Sequence, residues 1–189
     1  MKGAIVNGAP AMRVLGLAAA AVLAAGCAPL KGPATQPAVV SAVPASQPEL
    51  LSQLSVNGLY EIEVSRLAVH RATSPRVRAL AQTVASHRAQ SRQQLTALMR
   101  ARGVPVPAQL PRDKAGKLQR LQALRPSADF DAAYVRVVGV EDHEATITLL
   151  ERARRDTRDA ALASWIDRTL PVLRRDLQAA QQVAGQIAG

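Results

Sequence analysis

Apolar residues recur at three-four spacing in four stretches of this chain, and each stretch is bounded by residues that start or stop helices. Ser46-Gln47-Pro48-Glu49 has the form of a capping box, the serine oxygen accepting an early backbone N–H while Glu49 reaches back. A first helix therefore opens there, carries Leu51, Leu54, Gly58, Ile62, Ser65 and Val69 on one face, and ends near Ala72. Ser74-Pro75 supplies a cap and a first-turn proline for a second helix. Its stripe reads Val77, Leu80, Val84, His87, Ser91, Leu95 and Leu98 until Gly103 stops it.

Val104-Pro105-Val106-Pro107 and Pro111 cannot continue a helix, so a crossover follows, with a shorter amphipathic piece inside it from Lys114 to Leu124. Pro126-Ser127 then caps a third helix whose stripe is Phe130, Tyr134, Val137, Val140, His143, Ile147 and Leu150. Asp156-Thr157 is the expected cap of a fourth, with Leu162, Ile166, Thr169, Leu173, Ala180, Val183 and Ile187 on one side and Pro171 expected to kink it. No stretch alternates as a strand does. The pattern predicts an all-α fold. Short links within each helix pair and a long one between helices two and three predict a ferritin-like four-helix bundle with a crossover, a simple up-down bundle being the alternative.

Ahead of this body the chain changes character. Lys2 and Arg13 precede an apolar run from Val14 to Ala25 that closes in Leu23-Ala24-Ala25-Gly26-Cys27. A charged start, a short apolar stretch and small residues before a cut describe a secretory signal, and a cysteine at the cut resembles the lipobox of bacterial lipoproteins. Membrane-spanning helices need about 20 apolar residues, and this run is shorter. Residues 1–26 are expected to be a lipoprotein signal peptide, with Met12 as an alternative start, and Cys27 the acylated (palmitate-bearing) residue. Ala28 rather than an aspartate after Cys27 favours an outer-membrane lipoprotein facing the periplasm. Residues 27–46, with Pro29, Pro33, Pro37 and Pro44 among Ala, Val, Ser and Gln, form an expected tether, too poor in apolar bulk to pack a core. The bundle then occupies 47–189.

Of the formal charge of +10, Lys2, Arg13 and Lys31 precede Glu49 and no acid does, which leaves +7 on the bundle, nearly all from arginine. With one Trp, one Phe, two Tyr and no Gly-rich basic loop, nucleic-acid binding is not expected. Basic helix faces, Arg88 and Arg92 expected among them, suit solvent or acidic envelope partners. The apolar stripes hold two of the three histidines, His87 and His143. A buried imidazole needs a partner, either one hydrogen bond or a metal. Glu61 flanks the small residues of helix one, Glu63 projects to the opposite side, and Asp176 borders the stripe of helix four. Glu61, Glu63, His87, His143 and Asp176 are thus candidate ligands for a divalent transition metal such as zinc, iron, manganese or copper. His70 reads as surface, and Asp131 as an acid suited to a helix N-terminus.

Other chemistry is not encoded. The residue three before His87 is Val84 and before His143 is Val140, so the Glu-x-x-His motif of di-iron bundles is missing. No Gly-x-Ser-x-Gly, phosphate loop, His-Glu-x-x-His or cysteine pair occurs. The reading is a non-catalytic structural or interaction module, with metal handling or stress defence in the envelope as the alternative.

Four stretches resemble an exported bacterial family, the domain of unknown function 4142. They are Glu61-Ile62-Glu63-Val64 with Leu67-Ala68; Ala85-Ser86-His87; Asp129-Phe130-Asp131 with Tyr134 and His143-Glu144; and Leu170-Pro171-Val172-Leu173 with Asp176-Leu177. The chain departs from the family pattern where Ser86 replaces an acid and Asp176 replaces a histidine. The resemblance implies an exported ferritin-like bundle and directs attention to Glu61, Glu63, His87 and His143; it implies no activity.

Overall fold

A computed structural model describes residues 46–187; the signal segment, Cys27 and nearly all of the tether lie outside the described residues. Within them the regular structure is helical throughout. Helix α1 spans Gln47–Arg71, α2 Pro75–Ala101, α3 Arg112–Ala123, α4 Ala128–Tyr134, α5 His143–Asp156 and α6 Ala160–Ile187. A π-helical segment, Val135–Asp142, joins α4 to α5 without a break, so four long rods and one short helix make up the body.

The local signals explain most boundaries. Ser46 and Glu49 form both halves of the capping box at α1. Gly103 adopts φ 65°, a left-handed conformation that glycine enters without steric cost, and Val104 N–H returns to Met99 O at 2.9 Å to close α2. Ser127 accepts from Phe130 N–H at α4. Two caps differ from expectation. Ser74 makes no side-chain cap to α2; Asp131 of α4 instead holds the α1–α2 link just ahead of that helix, accepting from Thr73 N–H, Thr73 Oγ1 and Ser74 N–H at 3.0, 2.7 and 2.7 Å. Asp131 is therefore a buried tie between helix pairs, not only an acid on a helix dipole. Asp156-Thr157 ends α5 instead of starting α6, and Asp159 caps α6 through Ala161 and Leu162 N–H at 2.9 and 3.0 Å.

The rods pack around two apolar clusters. One contains Tyr60, Val64, Ala68, Val77, Leu80, Val84, Phe130, Tyr134, Val138 and Ala180. The other contains Leu51, Leu54, Leu95, Met99, Leu150, Leu162, Trp165, Ile166 and Leu173. Chain order through these clusters fixes direction: α1 and α6 run from the second to the first, α2 and the α4–α5 rod from the first to the second. Two parallel neighbours in sequence need a connection as long as the bundle, and the crossover with α3 provides it. Residues of α3 seat it there, with Leu121 buried, Lys114 Nζ 4.9 Å from the centre of the Tyr60 ring, and Lys117 paired with Asp142 at 2.9 Å. α6 continues as helix through Pro171.

The π segment decides which side chains of its rod face inward. Tyr134 and His143 are nine residues apart, which at about 100° per residue in an α-helix sets them on opposite sides. A π-helix turns more slowly, about 4.4 residues per turn, so nine residues make nearly two full turns. Both side chains then point into the core, each 0 % exposed. Val135 and Val138, not Val137 and Val140, become the buried valines. The segment also needs a glycine, because a Cβ on Gly139 would lie 2.8 Å from Ala180 Cβ.

Two stability predictions follow from these contacts. Gly139→Ala is expected to destabilise by about 1–3 kcal/mol through overpacking, with Ala180→Gly in the same chain recovering part; urea denaturation followed by circular dichroism measures both. An unchanged midpoint would show that α6 and the π segment are not held at this distance. Asp159 accepts from Arg102 Nε at 2.8 Å and Gln47 Nε2 at 2.7 Å as well as capping α6. Arg102 foremost, then the Leu162 N–H, lowers its pKa from 3.8 to about 2. A depressed carboxylate stabilises the fold fully above pH 3.8 and loses that contribution as pH falls toward 2. Asp159→Asn should flatten that part of the stability profile; equal acid slopes for both proteins would exclude the effect.

Candidate functional site: a charged layer across the bundle

Between the two apolar clusters, each long rod contributes a buried polar side chain: Glu61 from α1, Arg88 from α2, His143 from the start of α5 and Asp176 from α6. Their exposures are 1, 5, 0 and 2 %. Helical phase puts them there. Counting along α2, Val77, Leu80, Ala81, Val84, Arg88, Leu95 and Met99 form the buried line, so the core face passes through Arg88 and leaves His87 at its edge.

Arg88 is the centre of the layer. Its Nε lies 2.7 Å from Glu61 Oε2, an ion pair whose N–H is not aligned as a hydrogen bond. Its Nη2 lies 3.4 Å from Asp176 Oδ2 and 3.2 Å from His143 Nε2. His143 Nδ1 is 2.7 Å from Val138 O, which can only accept, so Nδ1 carries the proton and Nε2 accepts from Arg88. The π segment supplies both that carbonyl and the phase of the ring. His87 Nδ1 donates to the other oxygen of Asp176 at 2.8 Å, with the His87 side chain 34 % exposed. Thr146 Oγ1 donates to Glu61 Oε1 at 3.5 Å. One turn away, Ser65 Oγ and Tyr134 Oη share a bond of 2.9 Å, and burial pushes the Tyr134 phenol well above its ordinary pKa.

Four of the five candidate ligands thus meet in one layer, and Glu63 does not join them; it lies half-buried beside the layer's own Glu61. His70 is exposed, as expected. The expectation for Arg88 is corrected outright: it is among the most buried polar residues, not on an exposed face. The reading from sequence missed it because arginine is almost never fully buried unless paired. The signal available was phase, since Arg88 continues the line of Leu80, Ala81 and Val84 better than His87 does. Glu61 likewise sits at the middle of the α1 core face, between Leu54 and Ala68, instead of flanking it. Among the described residues, no three His, Cys, Asp or Glu side chains converge as a metal-ligand group. The donor atoms that would turn to a cation are turned to the guanidinium instead.

Two hollows border the layer. A small hollow of about 20 Å³ lies against Glu61, Arg88, Thr146 and Trp165, room for about one water molecule. An open cleft of about 170 Å³ is lined by His87, Arg88, Ser91, Gln94, Arg168 and Thr169.

A crossover bundle with one charged layer is a helical-bundle protein of the ferritin-like kind. The chain belongs to the family described as Domain of unknown function (DUF4142), whose profile matches residues 32–183, as the four motif stretches predicted. Among solved structures it is similar to the crystal structure of a DUF305 fragment from Deinococcus radiodurans, with a TM-score of 0.65 and 14% identity, covering 76% of this chain and 99% of that one. At that identity the likeness shows the fold alone. No curated protein matches the chain in sequence.

Removing the central cation tests the layer. Arg88→Met leaves Glu61 buried without a cation and Asp176 with the His87 bond alone, and is expected to cost about 3–5 kcal/mol. Replacing Glu61, Arg88 and Asp176 together by apolar residues of similar volume should restore most of it. Chemical denaturation of both variants decides the matter: a loss under about 1 kcal/mol for Arg88→Met would mean that water reaches the layer.

Proposed function

We propose that the protein is a lipid-anchored component of the bacterial cell envelope whose helical bundle is a non-catalytic structural or interaction module. The observation that carries this reading is Arg88, whose guanidinium engages the two carboxylates and the histidine that would otherwise serve a metal or an acid-base reaction. Glu61 and Asp176 are balanced in part by this built-in cation, and a further cation would compete with it for the same lone pairs. The anchor rests on the Leu23-Ala24-Ala25-Gly26-Cys27 pattern, and the outer-membrane, periplasm-facing address on Ala28. No described helix is long and apolar enough to cross a membrane. Acidic envelope partners suit the +7 bundle.

One observation favours the alternative, a transition-metal-binding bundle in metal handling or stress defence. Asp176 fixes the His87 ring through Nδ1, as carboxylates do for metal-binding histidines, and His87 borders the open cleft. Mass spectrometry of tagless protein exposed to zinc, iron, manganese and copper separates the two. The proposed reading expects no near-stoichiometric ion; a bound ion that disappears in His87→Ala and His143→Ala would establish the alternative. Cys27→Ser should move the protein from the membrane to the soluble fraction, and a variant that stays with membranes would overturn the anchor.

A further inference from the structure

The outer groove between α1 and α2 gathers three arginines around apolar and small side chains. It is an open trough of about 580 Å³ lined by Leu59, Ile62 and Arg66 of α1 and by Ala89, Arg92, Gln93, Thr96, Ala97 and Arg100 of α2. The floor is apolar or small, and its only charged lining residues are three arginines. Four surface arginines pair with acids: Arg102 with Asp159, Arg136 with Glu141, Arg154 with Asp167 and Arg174 with Glu151. No such pair forms at Arg66, Arg92 or Arg100 among the described residues.

Arg92 is built into the wall. Its Nε donates to Ser55 O at 3.4 Å and its Nη2 to Pro107 O at 2.7 Å. Two neutral carbonyls fix the guanidinium without cancelling its charge. Its stem packs against α1 at Gly58, where a Cβ would meet Arg92 Cβ at an ordinary contact distance of 3.6 Å. Because α1 and α2 run in opposite directions, with Glu61 level with Arg88, Arg66 lies toward one end of the groove, Arg92 near the middle and Arg100 toward the other end. Ala89, Gln93 and Ala97 recur every four residues on α2, a track whose two alanines leave room for another backbone. From Ala89 to Arg100 the track covers about three helical turns.

We propose that this groove is a docking site for an acidic amphipathic helix of a partner protein, its apolar face on Leu59, Ile62, Ala89 and Ala97 and its carboxylates on the three arginines. A concave, narrow trough matches a helix better than the flat plane of a lipid surface. The inference rests on the interaction-module reading above and gives its partner a chemistry. It also has its own test, since metal content and membrane fractionation do not bear on it.

The probe is a fluorescein-labelled three-turn helical peptide of leucine and glutamate, leucine on one face, mixed with the full-length protein in mild detergent and followed by anisotropy. Binding should weaken about tenfold in Arg66→Glu/Arg100→Glu, with a shallower salt dependence than wild type. A lysine version of the peptide should not bind. A photo-crosslinker at Gln93 should capture the acidic peptide, and one at Arg136 should not. Equal binding by wild type and the double variant, or capture at Arg136 alone, overturns the proposal. So does a result in which the double substitution abolishes binding to phosphatidylglycerol vesicles and leaves peptide binding unchanged, which would make the groove a lipid site.

Discussion

A single buried guanidinium organises this bundle. Arg88 stands where four rods meet, and the charge it brings helps Glu61 and Asp176 to lie inside. An unpaired buried carboxylate costs several kcal/mol, so Glu61 depends on it outright, while Asp176 shares its charge between Arg88 and the His87 ring. The neutral His143 fills the remaining direction of Nη2, held by a carbonyl of the π segment. The layer therefore ties α1, α2, α5 and α6 to one register. An apolar core of leucines and valines could slide by a turn at modest cost, whereas this one cannot without stranding a charge.

Several otherwise unrelated features serve that layer. The π segment rotates the third rod so that Tyr134 and His143 share a face, and Gly139 lets that wider turn lie against Ala180. The crossover, pinned by Lys114 and Lys117, lets α2 and the α4–α5 rod run the same way. Asp131 then joins the two helix pairs by accepting three bonds from the α1–α2 link. Polar residues in this fold are concentrated where rods must be aligned, and apolar ones fill the space above and below.

The same accounting separates the inside from the outside. Inside, two acids, an arginine and a histidine face one another across the bundle. Outside, the α1–α2 groove gathers three arginines that pair with no acid among the described residues.

Much of this was legible in the chain. Ser46 and Glu49, Pro75, Gly103 and Ser127 mark helix ends by local chemistry that does not depend on the rest of the fold, and the prolines after Val104 mark the crossover. Those signals, with the apolar spacing, determine an all-α crossover bundle, and the motif stretches place it in its family. What the sequence left open was phase. His87 and Arg88 are neighbours, and which one enters the core depends on whether the other three rods bring acids to meet an arginine. In the third rod the spacing of Tyr134, Val137, Val140 and His143 drifts by three threes, a drift that an α-helix would turn into opposite faces and a π segment absorbs. Local propensity cannot choose between those outcomes. The tertiary structure does, because only there do Glu61, Asp176 and the Val138 carbonyl arrive together to make a buried charge affordable.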